Sequence, residues 1–372
     1  MRVPSLVFGL ALLLLLAGCV GPFADDAPAT PTVTEQPTAT ETPLLETPTQ
    51  SSTPTDRTDT ATDRETATPT PTGDPDLSAD NPFGQKVVPV RVNDTVNDGR
   101  DTTLLVQRSI EYWNDRIERD TEFNYRFTLA EDPADARVEV RYVEAIESCG
   151  REHDERTVGC APLLERGSTA PDVAVARIEV HGSDSAVIGT VEHELGHILG
   201  LGHDDPPLVV MGYQTEEPVK DAMDRAVPWY TDKLGVYVDH DSLDGNREQI
   251  DDQVGHALEY YNDGGADGTI PDNVTFTRTD HEASADVVIT NDESYPCGGT
   301  SDQSRWRLQQ YTQIDTDSAP EIYARSIICL DLEETETGWH TGYWLGRSMG
   351  LEEGELAEPF QDVQNSRDEW WE

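Results

Sequence analysis

Short matches recur along the chain at separations of 148 to 151 residues, and this spacing constrains the fold more than any other feature. Glu111-Tyr112-Trp113-Asn114-Asp115 returns as Glu259-Tyr260-Tyr261-Asn262-Asp263, and Ala134-Asp135 returns as Ala285-Asp286. Cys149-Gly150 returns as Cys297-Gly298, and Ala170-Pro171 as Ala319-Pro320. Leu195-Gly196-x-x-x-Gly200-Leu201 returns as Leu345-Gly346-x-x-x-Gly350-Leu351. Matches in one order at nearly one offset point to an internal duplication. Whatever fold residues 85–228 adopt, residues 229–362 are expected to adopt again. In the first copy, apolar periodicity predicts strands over Lys86–Val92, Asn124–Leu129, Arg137–Val143 and Val173–Val180. It predicts an amphipathic helix over Thr102–Arg119, a second one leading into Leu195, and a short helix over Val219–Ala226. A helix on a mixed sheet followed by another helix belongs to the α/β (α+β) class.

The ends of the chain read differently. Leu6–Gly18 is an apolar run behind Arg2, too short to span a bilayer comfortably and suited to a secretory signal. It ends in Leu16-Ala17-Gly18-Cys19, which resembles a lipobox, so residues 1–19 are expected to direct export and Cys19 to carry the lipid. An uncleaved anchor is the other reading, and both put the remaining chain outside the cell. Residues 20–84 form a Thr/Pro/acidic stalk too poor in apolar side chains to offset chain entropy, and 363–372 form an acidic tail.

Charge excludes whole classes of partner. With 73 Asp+Glu against 26 Lys+Arg, the formal net charge is −47, which leaves no basic footprint for nucleic acid or anionic lipid. The acidity runs along the whole chain, as expected of a surface adapted to molar salt, where the screening length shrinks to a few ångströms. Cation buffering is the alternative. Contact with a membrane is therefore expected only through the lipid on Cys19. Four of the five cysteines then remain, and export favours the disulfides Cys149–Cys160 and Cys297–Cys329, each within one copy. Zinc–thiolate binding competes, but no C-x-x-C spacing supports it.

One stretch carries chemistry: His193-Glu194-Leu195-Gly196-His197-Ile198-Leu199-Gly200-Leu201-Gly202-His203. On a helix, His193 and His197 stand at i and i+4 and share a face, so both imidazoles can grip one ion. Glu194 is placed to reach a water beside the metal instead of the metal. Gly200 can take a left-handed backbone, turning the chain so that His203 supplies a third nitrogen. Three nitrogen ligands leave one zinc position open, as catalysis requires.

These residues resemble the metzincin zinc endopeptidases, whose H-E-x-x-H-x-x-G-x-x-H motif is followed by a Met-turn. Here Leu208-Val209-Val210-Met211-Gly212-Tyr213 follows, and the short spacing from His203 to Met211 is most similar to the matrixin branch. With the lipobox and the acidity, the whole resembles a secreted lipoprotein of haloarchaeal type. The resemblance implies one catalytic Zn2+ on His193, His197 and His203, Glu194 as general base, and Met211 under the site. It also implies an extended protein or peptide substrate along the strand Val173–Val180. Tyr213 resembles the tyrosine with which astacins and serralysins stabilise the tetrahedral intermediate; wall packing is its other reading. The matrixin propeptide cysteine has no counterpart after Cys19. Asp204 and Asp205 are candidates for orienting His203 or binding Ca2+, with solvated turn carboxylates as the alternative.

In register, the second copy puts Tyr343 at His193, Trp344 at Glu194, Arg347 at His197 and Glu353 at His203. A metal-free, metzincin-like repeat is expected there, with an Arg347–Glu353 ion pair conceivable in place of the metal. The aromatic cluster Trp339, His340, Tyr343 and Trp344 reads either as core or as a binding surface. Two rival functions stay open: a zinc-containing adhesion module with little turnover, and a small-molecule amide hydrolase. Substrate identity and oligomeric state are not set by the sequence.

Overall fold

The computed structural model describes residues 81–371 except 122, 124, 150–156, 265–267, 293, 296–303, 312–313 and 362–369. The signal, residues 20–80 of the stalk, Cys19, Cys297 and most of the acidic tail lie outside the described residues. The last four residues assigned to the stalk belong instead to the first half, where Phe83 is buried in its core and Ala170 N–H donates to the Pro82 carbonyl at 3.0 Å. Among those described, no helix is long and apolar enough to cross a membrane.

The first half runs β1 (Val87–Asp94), α1 (Thr102–Asn114), α2 (Ile117–Asp120), β2 (Arg126–Leu129), β3 (Val138–Val143), β4 (Gly159–Cys160), β5 (Ala174–Glu179), α3 (Asp184–Ile198) and α4 (Leu208–Met211). The second runs β6 (Lys233–Val238), α5 (Arg247–Asn262), β7 (Thr275–Arg278), β8 (Val287–Thr290), β9 (Arg305–Tyr311), β10 (Ile322–Cys329), α6 (Thr337–Ser348) and α7 (Glu358–Gln361). The class is α/β, with two mixed five-stranded sheets.

Their strand orders correspond: β2-β1-β3-β5-β4 and β7-β6-β8-β10-β9. In each sheet all pairs are parallel except the last, where the outer strand runs antiparallel to its neighbour. Single contacts repeat as well. Asn114 exchanges two hydrogen bonds with the Phe127 backbone, both 2.9 Å, and Asn262 does the same with Phe276 at 2.9 and 2.7 Å. Trp113 Nε1 donates to the Glu192 carbonyl of α3, as Tyr261 OH donates to the Gly342 carbonyl of α6, both at 2.8 Å. Each half has its own core: Trp113, Phe127, Tyr142 and Ile188 in one, Trp229, Tyr261, Phe276 and Trp339 in the other.

Three expectations need correction. The helix foreseen over Thr102–Arg119 breaks after Asn114, whose side chain is committed to Phe127. The helix foreseen over Val219–Ala226 is a single 3-10 turn, Ala222–Asp224. Its amides are drawn away from a helical ladder: Val219 N–H donates to Asp315 and Ala222 N–H to the Pro320 carbonyl. Arg347 does not pair with Glu353; it donates at 2.7 Å to the Leu351 carbonyl.

The halves meet at the start of α3. Ser183 caps this helix and donates to the Ala324 carbonyl, and the Tyr230 ring lies against Gly189. Asp286, 1% exposed, accepts from Ser185 N–H at 2.9 Å and from Gly235 N–H at 2.8 Å. It thereby joins the first turn of α3 to β6, where a carboxylate also complements the helix dipole. Burial raises its pKa, while those two hydrogen bonds pull it down. Asp286→Ala strands the buried Ser185 amide and the half-buried Gly235 amide and is expected to cost about 2–4 kcal/mol, less whatever relief comes from removing a desolvated charge. Denaturant unfolding in molar salt measures this; an unchanged midpoint would show that the clamp contributes nothing.

Candidate metal centre

Helix α3 carries the first two histidines, and its position is settled by packing. Ala186, Val187, Ile188, Val191, Leu195 and Ile198 are buried against the sheet and α1. That leaves His193 and His197 half-buried on another face, one turn apart. The helix ends at Gly200, whose φ of +78° turns the chain as expected. Leu201 N–H closes back on the Gly196 carbonyl at 3.0 Å, and the following loop returns His203 to the other two imidazoles.

Ring nitrogens of His193, His197 and His203 all lie within 4.8 Å of one another. Two rings are held from behind: Nδ1 of His193 lies 2.8 Å from the Val210 carbonyl, and Nδ1 of His197 lies 2.8 Å from the Leu201 carbonyl. A carbonyl can only accept, so both Nδ1 atoms carry the proton and each Nε2 bears the lone pair that a cation would take. Burial, then repulsion from His197, lowers the His193 pKa to about 3 against the Val210 hydrogen bond, keeping that ring neutral. Three imidazoles without a thiolate suit zinc with an open position.

Glu194 is 4% exposed. Its Oε2 has no hydrogen-bond partner, while the Ala161 backbone N–H and the Arg177 charge both favour the carboxylate. Burial outweighs them and pushes its pKa up to about 8. An acceptor oxygen buried without a donor is costly, and a water held by a neighbouring cation would supply that donor. The donor set therefore fits a metal with a water beside it.

No protein-family model and no curated protein matches the chain.

Met211 is fully buried under α3, with its sulfur against Gly196, where a β-carbon would overlap it. Tyr213 is 42% exposed, its ring 6.1 Å from that of His203. Asp205 is occupied in a turn, accepting from Gly202 N–H at 2.7 Å, and Asp204 is exposed.

Sequence reasoning missed the strand beside Glu194. The stretch Val173–Val180, expected to receive an extended substrate, has no open side: β5 pairs with β3 on one side and β4 on the other. The outer strand is β4, only two residues long and too short for a periodic signal. It is tied down by the Cys149–Cys160 disulfide, as expected. Cys329 is also disulfide-bonded. Gly159 of β4 faces the Glu194 carboxylate so closely that any β-carbon there would overlap it. Arg177, another residue not foreseen, reaches the Ser148 carbonyl at 2.8 Å and the Cys160 sulfur at 3.2 Å.

In the second half the corresponding helix face is aromatic. Trp344 stacks on Trp306 of β9 at 5.8 Å and donates to Ser304 at 2.9 Å. Tyr343 stacks on buried Trp339 at 5.5 Å. Of the two alternatives for this cluster, packing is the one observed. Arg347 replaces His197 in register and keeps its contact, since both reach the carbonyl four residues ahead.

Proposed function

We propose that the chain is a zinc endopeptidase of metzincin type, acting on extracellular proteins or peptides while tethered to the outer face of the membrane through Cys19. What carries this reading is one juxtaposition: three convergent imidazoles beside a buried carboxylate with an unpartnered oxygen. His193, His197 and His203 would hold the metal. When bound, zinc supplies a Lewis acid that acidifies water and polarises a carbonyl. Glu194 Oε2 takes a proton from the attacking water and passes it to the nitrogen of the leaving amine. The Tyr213 hydroxyl donates a hydrogen bond to the oxygen that gains negative charge. Substrate lies extended along the outer side of β4, adding one strand to the sheet. The second half is a duplicate without the metal, and it supports α3 through Asp286. The acidic surface serves solubility in molar salt.

The retained carboxylate distinguishes this reading from a zinc-bearing adhesion module, since holding the metal needs no base. The deciding experiment compares the wild-type chain with Glu194→Ala in molar salt on a denatured protein substrate. Equal turnover would sink the peptidase reading. A second variant probes the roof of the site. Gly159→Ala forces the Glu194 carboxylate to move and is expected to cut kcat/KM on the order of 10²-fold with zinc content unchanged. Full activity in that variant would show that Glu194 does not need its present position.

A further inference from the structure

The loop entering β10 gathers three carboxylates that no part of the proposed peptidase site uses. Oxygens of Asp315, Asp317 and Glu321 lie within 4.8 Å of one another. Glu321 is fully buried, and neither of its carboxylate oxygens has a hydrogen-bond partner. Asp315 is 4% exposed. Among the described residues none of the three forms an ion pair. Burying an ionised carboxylate without a donor beside two others is strongly unfavourable; either it takes up a proton or a cation sits among them. Burial, then the Asp315 and Asp317 charges, raises the Glu321 pKa against the pull of the nearby Glu321 and Asp315 backbone amides, neither of which reaches it in hydrogen-bond geometry.

We propose that Asp315, Asp317 and Glu321 bind one calcium ion that fastens the second half to the segment following Met211. The donors are all hard oxygens, spaced as D-x-D-x-x-x-E. Calcium accepts irregular oxygen ligation from protein carboxylates, whereas magnesium demands near-ideal octahedral geometry and keeps several of its waters. The loop is already shaped for the ion. Asp315 accepts from Val219 N–H at 2.7 Å and Asp317 N–H at 2.9 Å, and Asp317 accepts from Ala319 N–H at 2.7 Å. Each of these oxygens keeps a further lone pair. Asp317 is exposed and opens a route from solvent.

The location gives the ion a consequence. Thr215 bridges to Asp315, and its N–H donates to the Ile314 carbonyl at 3.0 Å. Ala222 N–H reaches Pro320, and Arg225 reaches the Glu321 carbonyl at 3.0 Å. The segment so held begins at Gly212, directly after Met211, and carries Tyr213. Calcium at this site therefore rigidifies one wall of the histidine centre from the other half of the protein. The inference stands on its own observations and survives even if the chain proves not to be a peptidase.

The test uses the full chain, freed of divalent ions on a chelating resin and kept in constant molar NaCl. Calorimetric titration with calcium is expected to show one saturable site, and calcium is expected to raise the Tm and slow proteolysis between Gly212 and Arg225. Glu321→Gln and Asp317→Asn should each weaken calcium binding by about tenfold or more, because affinity follows ligand charge. If Glu321→Gln fails to fold, the exposed Asp317→Asn variant decides alone. Absence of a saturable site, wild-type affinity in Asp317→Asn, or equal stabilisation by magnesium would each overturn the proposal, the second by assigning binding to the diffuse acidic surface.

Discussion

Glu194→Ala is expected to lower kcat/KM by roughly 10²–10⁴-fold, the contribution of a positioned general base. The cause would be chemical and not structural. Its loss leaves the Ala161 N–H without its partner, a cost of about 1–3 kcal/mol. Against that, the variant no longer buries a carboxylate whose pKa burial has raised, so the two effects oppose each other. The Val210 and Leu201 carbonyls hold the His193 and His197 rings. Zinc stoichiometry and Tm should therefore stay close to wild type while turnover collapses. Measuring all three on the same preparation separates a missing base from a damaged fold. A variant that loses its zinc along with its activity would place Glu194 in the metal's support and not in the reaction.

His197→Ala is expected to weaken zinc binding by more than roughly 10²-fold, beyond what losing an outer hydrogen-bond partner costs a metal site. The variant removes one of the three proposed ligands and also leaves the Leu201 carbonyl without its ring N–H. Because metal binds the folded chain, excess zinc should stabilise the wild type by about 4 kcal/mol at a thousand times its Kd. That increment should vanish in the variant. Removing zinc from the wild type should abolish turnover, and restoring it should bring turnover back. A wild-type Tm indifferent to zinc would mean the histidines converge for another reason.

Much of the centre was legible because its ingredients are local. The interval between His193 and His197 is one helical turn, and Gly200 lies where the helix must stop, so the two imidazoles are neighbours before any tertiary contact forms. Met211 under the site and the Cys149–Cys160 bond were likewise within reach of sequence reasoning. The strand beside Glu194 was not. Gly159 and Cys160 are too few to show a period, and they lie 35 and 34 residues from the glutamate they cover. The Val219–Ala226 helix failed for a related reason: its local propensity was real, but Asp315 and Pro320 capture its amides from the other half.

The duplication was visible in ordered matches at one offset, and with it the expectation of two like halves; the parallel strand orders of the two sheets agree with it. Sequence alone thus determined what depends on short intervals and on repetition: the helix face of His193 and His197, the turn at Gly200, and the absence of the three-histidine pattern from the second half. Only the tertiary structure decided which strand lies over Glu194, how Asp286 grips α3, and that Asp315, Asp317 and Glu321 meet beside Val219. Those contacts join residues that are distant along the chain. Helical and strand periodicities describe which side chains share a face, and they carry no information about which other face will cover it.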